Sequence, residues 1–276
     1  MIDLLRKHPA TSYFALAIGL SWGAVFAIIA SGPIPAPPAE AQRLFPFVYL
    51  AMLVGPSIAG ILMTALVSGR QGLREYAKRL RCWRVAPRWY AVALLTAPCV
   101  LLVTLSSLSL FSRDFTPAVL AGSTSALGPA AASSLGRFIL LGLSVGLGAG
   151  FFEELGWTGF AVPTLRTRYS LLQTGIIMGL FWGLWHFLAI LWGSANAFGT
   201  VPIPVFMLVA LFAFLPPYRV LMVRVYEHTH SLLIGILMHA SLTSSMILFG
   251  PPVAGGVAVT YDLAFGAALW LVVVLT

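Results

Sequence analysis

Charged residues are scarce in this chain of 276 residues, where Asp, Glu, Lys and Arg together make up 9% of the composition. Apolar residues reach 59%, and the mean hydropathy is +0.95. A chain with so few charges cannot cover its apolar surface in water, so an ordinary soluble domain is excluded. The alternating pattern of a membrane barrel is also absent. The sequence therefore predicts an all-α, polytopic membrane protein.

Cysteine is nearly absent as well. Cys82 lies in a basic loop and Cys99 in an apolar segment, so no disulfide framework is expected. The sequence has no long polar linker and no internal repeat, which favours a single transmembrane domain over residues 1–276. The net charge of +8 does not indicate a nucleic-acid partner, because the basic residues follow the pattern of membrane topology.

Eight segments are apolar enough to cross a bilayer, which takes about 20 residues per helix. They are residues 12–31, 45–68, 89–111, 137–162, 170–193, 203–225, 229–249 and 257–276. The first is longer than the apolar part of a usual signal peptide, so we expect an uncleaved anchor. The last is the weakest, because Asp262 interrupts it, and its lack of a polar flank suggests that the natural protein continues.

Lys and Arg residues concentrate on one side of these spans. Thirteen, Arg219 and Arg224 included, fall on the side of the termini, against three at Arg43, Arg113 and Arg137. This bias predicts a multi-pass protein of the cell membrane with both termini in the cytoplasm. About residues 70–86 combine basic residues with apolar ones at helical spacing, which predicts an amphipathic helix on the inner leaflet of the lipid bilayer.

Costly polar residues lie within the apolar spans: the adjacent pair Glu153 and Glu154, then His186, then His239. Each shares a helix face with small residues spaced by four, which is typical of close helix–helix contact in membranes. These stripes are Gly142–Gly146–Gly150, Gly175–Gly179–Gly183 and Ser231–Gly235–His239–Thr243. The depths of Glu153, His186 and His239 differ by about 10 Å at 1.5 Å per residue. We therefore expect about eight helices around a buried polar site.

This set of side chains suits the hydrolysis of a peptide bond by activated water. Burial disfavours the charged form of a carboxylate, which makes it a stronger base near neutral pH. A histidine beside Glu153 would help polarise the water, while a second histidine and the hydroxyl of Thr243 would donate to the developing oxyanion. A G-x-S-x-G motif is absent and neither cysteine lies near a histidine in the spans, so a covalent nucleophile lacks a candidate.

A metal is the alternative for the same residues. Glu153, His186 and His239 form an acceptable zinc set with an open position for water. The helical H-E-x-x-H motif is missing, so three separate helices would have to supply the ligands. We favour metal-free activation, with no cofactor required, over zinc.

These motifs resemble those of the type II CAAX prenyl endopeptidases, also called CAAX proteases and bacteriocin-processing enzymes. That family carries Glu-Glu followed by Trp-Arg-Gly, then Phe-x-x-x-x-His in the next span, then His-x-x-x-Asn in a later one. The matching segments are EELGWTG (153–159), FWGLWH (181–186) and HASLT (239–243), within a similar core of about residues 70–250. The combination of order, spacing and placement on membrane helices is more specific than any one motif.

The resemblance implies an intramembrane protease of eight helices that acts on a peptide or protein, with a cavity open toward the cytoplasm. By it, Glu153 is the general base, His186 positions the water, His239 stabilises the oxyanion and Glu154 supports the site. The family has been described both as metal-dependent and as metal-free. The resemblance also suggests CAAX processing, bacteriocin maturation or self-immunity as functions.

Two positions depart from the family motifs. Thr158 replaces the arginine and Thr243 replaces the asparagine, whose amide has two N–H groups where a hydroxyl has one donor. Arg219, after Pro216 and Pro217, is a candidate for the missing cation. Because of these two departures, an alternative is that the chain is a catalytically impaired immunity or scaffold protein of the same fold. A proton-coupled transporter is a third alternative, without the inverted repeat that would support it.

Overall fold

The computed structural model describes residues 2–29, 32–120, 134–194 and 197–276, and these ranges contain eleven α-helices and no strand. The helices are α1 (Ile2–Lys7), α2 (Pro9–Ile29), α3 (Pro38–Leu80), α4 (Pro87–Ser109), α5 (Leu135–Glu154), α6 (Val162–Arg166), α7 (Leu171–Gly193), α8 (Ile203–Phe212), α9 (Leu215–Thr229), α10 (Leu232–Phe249) and α11 (Gly255–Leu275). A 3₁₀ turn spans Arg113–Phe115, and a π-helical segment spans Trp157–Ala161.

Eight helical stretches in the described residues are long and apolar enough to cross a membrane. The all-α, multi-pass prediction is thus confirmed. The stretches correspond one to one with the predicted spans, including the weak last one, which is the continuous helix α11. Large apolar side chains such as Leu110, Phe111 and Val103 remain exposed on the outside, as expected of a surface that faces lipid.

Helix α3 differs from the predicted span 45–68. It begins at Pro38 and continues through a sharp kink at Gly69, where φ is +61°, into the basic residues that follow. Only glycine adopts this conformation at little cost, and the kink lets the basic segment leave the direction of the span. The basic helix ends at Leu80, six residues before the predicted end. Residues 82–86 are not helical, and Pro87 begins α4.

Two predicted spans are interrupted. The span 137–162 consists of α5, the π-helical segment and α6. The span 203–225 consists of α8 and α9, which meet at residues 213–214. Pro216 and Pro217 lie in the first turn of α9, where the missing N–H groups leave no helical bond broken. Both interruptions lie close to the buried polar residues.

The stripes of small residues lie at helix–helix contacts, as predicted. A methyl group on Gly146 or Gly150 of α5 would run into the backbone of α10, at Ala240 and Ile236 respectively. In α7, methyl groups on Gly175 and Gly179 would meet α9 in the same way. Because the absent side chains let the backbones approach, polar groups at the ends of these stripes can touch across the interface.

Arg219 lies inside the bundle, where its side chain is 0% exposed. The assignment of this residue to the basic flank of the sixth span is therefore wrong. The charge comparison becomes twelve against three once Arg219 is removed from the thirteen. The bias that predicts cytoplasmic termini is thus kept, while Arg219 becomes available to the polar site.

Candidate active site

The Glu pair lies where α5 gives way to the π-helical segment. Glu154 is the last residue of α5, and the amide of Ala161 donates to the carbonyl of Gly156 at 3.1 Å, the five-residue step of a π-helix. Three side chains of α3 support carbonyl groups around this break: Ser57 donates to Phe152 at 2.5 Å, Tyr76 to Leu155 at 2.6 Å and Arg79 to Gly159 at 2.9 Å. Local breaks of this kind are frequent at functional sites.

Glu154 is held from three sides and is 0% exposed. Nη1 of Arg219 and Nδ1 of His239 each lie 2.7 Å from its Oε1 atom. The hydroxyl of Thr158 donates to its Oε2 atom. One guanidinium, one imidazole and one hydroxyl thus surround a single carboxylate, which is the arrangement that a charge buried away from water requires.

Glu153 has a different environment. Its Oε2 atom accepts hydrogen bonds from the indole N–H groups of Trp182 at 2.8 Å and Trp157 at 3.3 Å. Its Oε1 atom lies 3.9 Å from Nε2 of His239, too far for a direct hydrogen bond. A separation of this size leaves room for one water molecule that contacts both groups.

His239 connects the two carboxylates. Its Nδ1 atom contacts Glu154, so Nδ1 carries a proton, and its Nε2 atom faces Glu153. The ring is 1% exposed overall but still contributes to the wall of the adjoining cavity. The side chain is therefore fixed in orientation by one glutamate while the opposite ring nitrogen stays free for a ligand or for water.

Trp182 organises the site from α7. Its indole N–H binds Glu153, and the guanidinium carbon of Arg219 lies 3.9 Å from the centre of its ring. The rings of His239 and His186 meet it edge to face, at 4.9 and 5.6 Å between centroids. A single rigid side chain thus sets the positions of one acid, one cation and both histidines.

His186 and Thr243 are the more open members of the set. Nδ1 of His186 lies 2.9 Å from the carbonyl oxygen of Trp182 and must donate to it, which leaves Nε2 as the acceptor of a neutral ring. Thr243 follows His239 by one helical turn of α10. Both side chains are half-buried and line the cavity described next.

A cavity of about 1140 Å³ adjoins the site. Glu153, His186, His239 and Thr243 lie on its wall, whereas Glu154 and its partners Thr158 and Arg219 lie behind that wall. Most of the remaining lining is apolar, with aromatic rings such as Trp185, Phe206 and Phe214. This volume is just above the usual range of small-molecule sites, about 300–1,000 Å³, and accommodates a short peptide segment.

The cavity extends toward the helix ends that lie opposite the basic segments. Pro38, Ser194 and Ala197 line it, and these residues belong to the side reached by the start of α3 and the end of α7. The basic residues after Gly69 lie on the other side. The expectation of cytoplasmic termini and that of a cavity open toward the cytoplasm therefore exclude one another in this fold.

The five predicted site residues are brought to one region, but not as a metal site. Within the described ranges, no three His, Cys, Asp or Glu side chains are grouped so that they could hold a metal ion. The predicted zinc set of Glu153, His186 and His239 is not among such groups.

Sequence reasoning missed the part played by the tryptophans. Trp157 and Trp182 had no assigned role in the site, yet their indole N–H groups donate the hydrogen bonds that Glu153 accepts. The available signal was that a buried indole N–H needs an acceptor, and that Trp157 stands one turn after Glu153. The prediction that Arg219 supplies a cation to the Glu pair is confirmed by its contact with Glu154.

Comparison with known proteins agrees with these features. Residues 135–245 match the family model of the type II CAAX prenyl endopeptidases, Rce1-like. Over 39 residues the chain is 56% identical to the CAAX prenyl protease 2 of Methanococcus maripaludis, a stretch that covers 14% of this chain and 14% of that protein. The matched range contains the Glu pair, both histidines and Thr243, so the resemblance is confirmed for this part of the chain.

Proposed function

We propose that this chain, which carries an Rce1-like region over residues 135–245, is an intramembrane endopeptidase that hydrolyses a peptide bond with water activated by a carboxylate. Its substrate is a peptide or protein segment that enters the cavity. One observation carries the proposal: Glu153, 3% exposed, faces the cavity and lies 3.9 Å from the free ring nitrogen of His239.

The charges at the site support a base rather than a purely structural pair. Glu153 and Glu154 bring two negative charges, and Arg219 brings one positive charge that contacts Glu154. Glu154 is thereby compensated, whereas the hydrogen bonds that Glu153 accepts from the described residues come from neutral indole groups. A carboxylate that faces the cavity without a cation in contact is placed to take a proton from water, as a general base must be.

The reaction then follows from the positions of the groups. A water molecule between Glu153 and His239 gives a proton to Glu153 while its oxygen bonds to the carbonyl carbon of the substrate. The hydroxyl of Thr243 donates to the resulting oxyanion. Collapse of this intermediate breaks the C–N bond, and Glu153 returns the proton to the departing amine. Nε2 of His186 orients the water from the second side.

Glu154, Arg219 and Thr158 position the reacting groups without touching the substrate. Glu154 fixes the ring of His239, and Arg219 holds Glu154 in place. Arg219 substitutes for the cation that the family motif carries at the position of Thr158. That departure is therefore offset by a residue from α9, a different helix.

The impaired immunity or scaffold protein remains the second candidate, and Thr243 is the observation that favours it. A hydroxyl with one donor stands where the family motif has an amide. In such a protein the cavity and the charged cluster would persist as parts of the fold, without turnover of a peptide.

Topology completes the proposal. With the basic ends of the helices in the cytoplasm, both termini lie there, and the cavity faces the outer side of the cell membrane. A peptide segment would then enter from that side. The family suggests three processes in which such a substrate would be cleaved: CAAX processing, bacteriocin processing and self-immunity.

A cleavage assay tests the function. The purified protein in nanodiscs would receive a fluorogenic peptide library, in parallel with the Glu153→Gln and His186→Ala variants. Cleavage by the wild type that is lost in both variants supports the protease, and equal background in all three supports the scaffold. A parallel arm with a chelator, together with metal analysis, decides the question of zinc: activity that persists without metal supports the bare carboxylate.

A further inference from the structure

Asp262 is a carboxylate on the cavity wall that the proposed reaction does not use. It lies in α11, within an otherwise apolar stretch, and its side chain is half-buried. No side chain in the described ranges forms a hydrogen bond or an ion pair with it. An acidic residue at membrane depth is costly, and such residues usually serve a pathway or a ligand.

The cavity contains no positive residue that could compensate this charge. Its described lining includes the carboxylates of Glu153 and Asp262 and the imidazoles of His186 and His239, but neither lysine nor arginine. Arg219, the cation nearest to the site, is engaged with Glu154 behind the wall. A cationic group on the molecule that occupies the cavity would supply the opposite charge that Asp262 lacks.

Asp262 and the reacting groups occupy different levels of the cavity. Asp262 stands seven residues from the start of α11, and His239 stands ten residues from the end of α10. At 1.5 Å per residue these positions are about 10 and 15 Å from the same side of the bundle. Because an extended peptide advances about 3.3 Å per residue, a basic side chain near the scissile bond is within reach of Asp262.

We propose that Asp262 is a specificity-determining residue, and that it selects peptide substrates with a lysine or arginine close to the scissile bond. The apolar walls accommodate the neighbouring residues, and the carboxylate binds the basic group by a charge-assisted hydrogen bond. This inference rests on the proposed peptidase function and identifies the substrate class for it.

Paired peptides test the inference. Each pair differs only in one residue, lysine or norleucine, and the lysine is moved through four positions on each side of the scissile bond. The ratio of kcat/KM for the two peptides is measured for the wild type, for Asp262→Asn and for Asp262→Lys. Asp114→Asn, an exposed position outside the cavity, is the matched control.

The wild type should prefer the lysine peptide by about tenfold at one position, as a single charge-assisted hydrogen bond predicts. The ratio should fall toward one in Asp262→Asn, stay unchanged in Asp114→Asn, and invert in Asp262→Lys when glutamate replaces lysine in the peptide. An equal lysine preference in the wild type and Asp262→Asn would overturn the inference.

A binding measurement separates this inference from the peptidase function. The dissociation constant of each peptide is measured on Glu153→Gln and on Glu153→Gln/Asp262→Asn in nanodiscs. If the wild type cleaves no peptide but lysine peptides bind Glu153→Gln about tenfold more tightly than they bind the double variant, the peptidase proposal fails and the role of Asp262 stands. Equal affinities would reject the role of Asp262, whatever the cleavage result.

Discussion

Arg219 and Glu154 form an ion pair between α9 and α5, with 2.7 Å between Nη1 and Oε1, and both side chains are 0% exposed. Despite this short distance, Nη1 is not aligned to donate a hydrogen bond to Glu154, so the contact is an ion pair alone. Nε and Nη2 of Arg219 have no hydrogen-bond partner in the described residues. The guanidinium instead lies against the ring of Trp182. One buried cation thus compensates one glutamate of the pair and leaves the other available as a base.

Removal of this cation should destabilise the protein and inactivate it. Arg219→Gln leaves Glu154 charged and buried, a loss that is worth about 3–5 kcal/mol when one partner of a buried pair is removed. The free energy of unfolding in detergent and the cleavage rate are the measurements. Arg224→Gln, on the same helix but only half-buried, is the control, and similar values for the two variants would contradict the role of Arg219.

The hydrogen bond from Trp182 to Glu153 should affect catalysis more than folding. Trp182→Phe keeps an aromatic ring but removes the N–H donor, so we expect kcat to fall by about 10- to 100-fold, since a bond to a charged group contributes about 1.5–3 kcal/mol. Trp22→Phe also removes one indole bond, to the carbonyl of Trp185, away from the Glu pair. An equal loss of kcat in both variants would show that the N–H of Trp182 has no special part.

The close approach of α5 and α10 should be necessary for the site. A methyl group in Gly150→Ala meets the backbone of α10 at Ile236, so the helices must separate. Overpacking of this kind costs about 1–3 kcal/mol, and it should also lower activity by moving His239 from Glu154. Gly136→Ala, where the methyl group meets nothing within 4 Å, should leave both the melting temperature and the cleavage rate as in the wild type.

Thr243 should act on the oxyanion. Thr243→Val removes the hydroxyl with little change in shape, and kcat should fall by about 10²-fold, as for one lost oxyanion donor. Thr243→Asn restores the amide of the family motif and should keep or raise kcat. Thr96→Val, which removes an exposed hydroxyl bonded within α4, is the control. Full activity in Thr243→Val would remove this residue from the mechanism.

The orientation in the membrane should follow the basic residues. With Cys82 and Cys99 replaced by serine, single cysteines at the exposed positions Arg74 and Arg113 report on opposite sides of the bundle. A maleimide that does not cross membranes should label Arg113→Cys in intact cells and Arg74→Cys only after the cells are opened. The reverse pattern would place the cavity on the cytoplasmic side, as the resemblance implies, and would refute the assignment of the termini.

The sequence was sufficient for the spans and for the polar residues, because both depend on strong local signals. Apolar length predicts a crossing helix, and small residues spaced by four predict which faces meet. Glu153, Glu154 and His239 could therefore be expected to converge. The span 137–162 was predicted correctly, but not its π-helical break at Trp157–Ala161, because side chains of α3 that are distant in sequence support that break.

Other features depend on tertiary contacts that no local pattern contains. The burial of Arg219 follows from the start of α9 beside α7, although its position in the sequence resembles that of an arginine at a membrane surface. The relative orientation of the three candidate zinc ligands could not be predicted for a similar reason. Spacing along three helices indicates that Glu153, His186 and His239 face one region, but it does not determine which ring nitrogen faces which carboxylate.

The central claim is that the carboxylate of Glu153 activates water in a secluded cavity. It is tested most directly by the single-turnover cleavage rate of Glu153→Gln on a peptide that the wild type cleaves, with folding checked by melting temperature. A folded variant whose rate is lower by about 10²–10⁴-fold, the usual contribution of a general base, is the predicted result. A folded Glu153→Gln protein that cleaves at the wild-type rate would contradict the account.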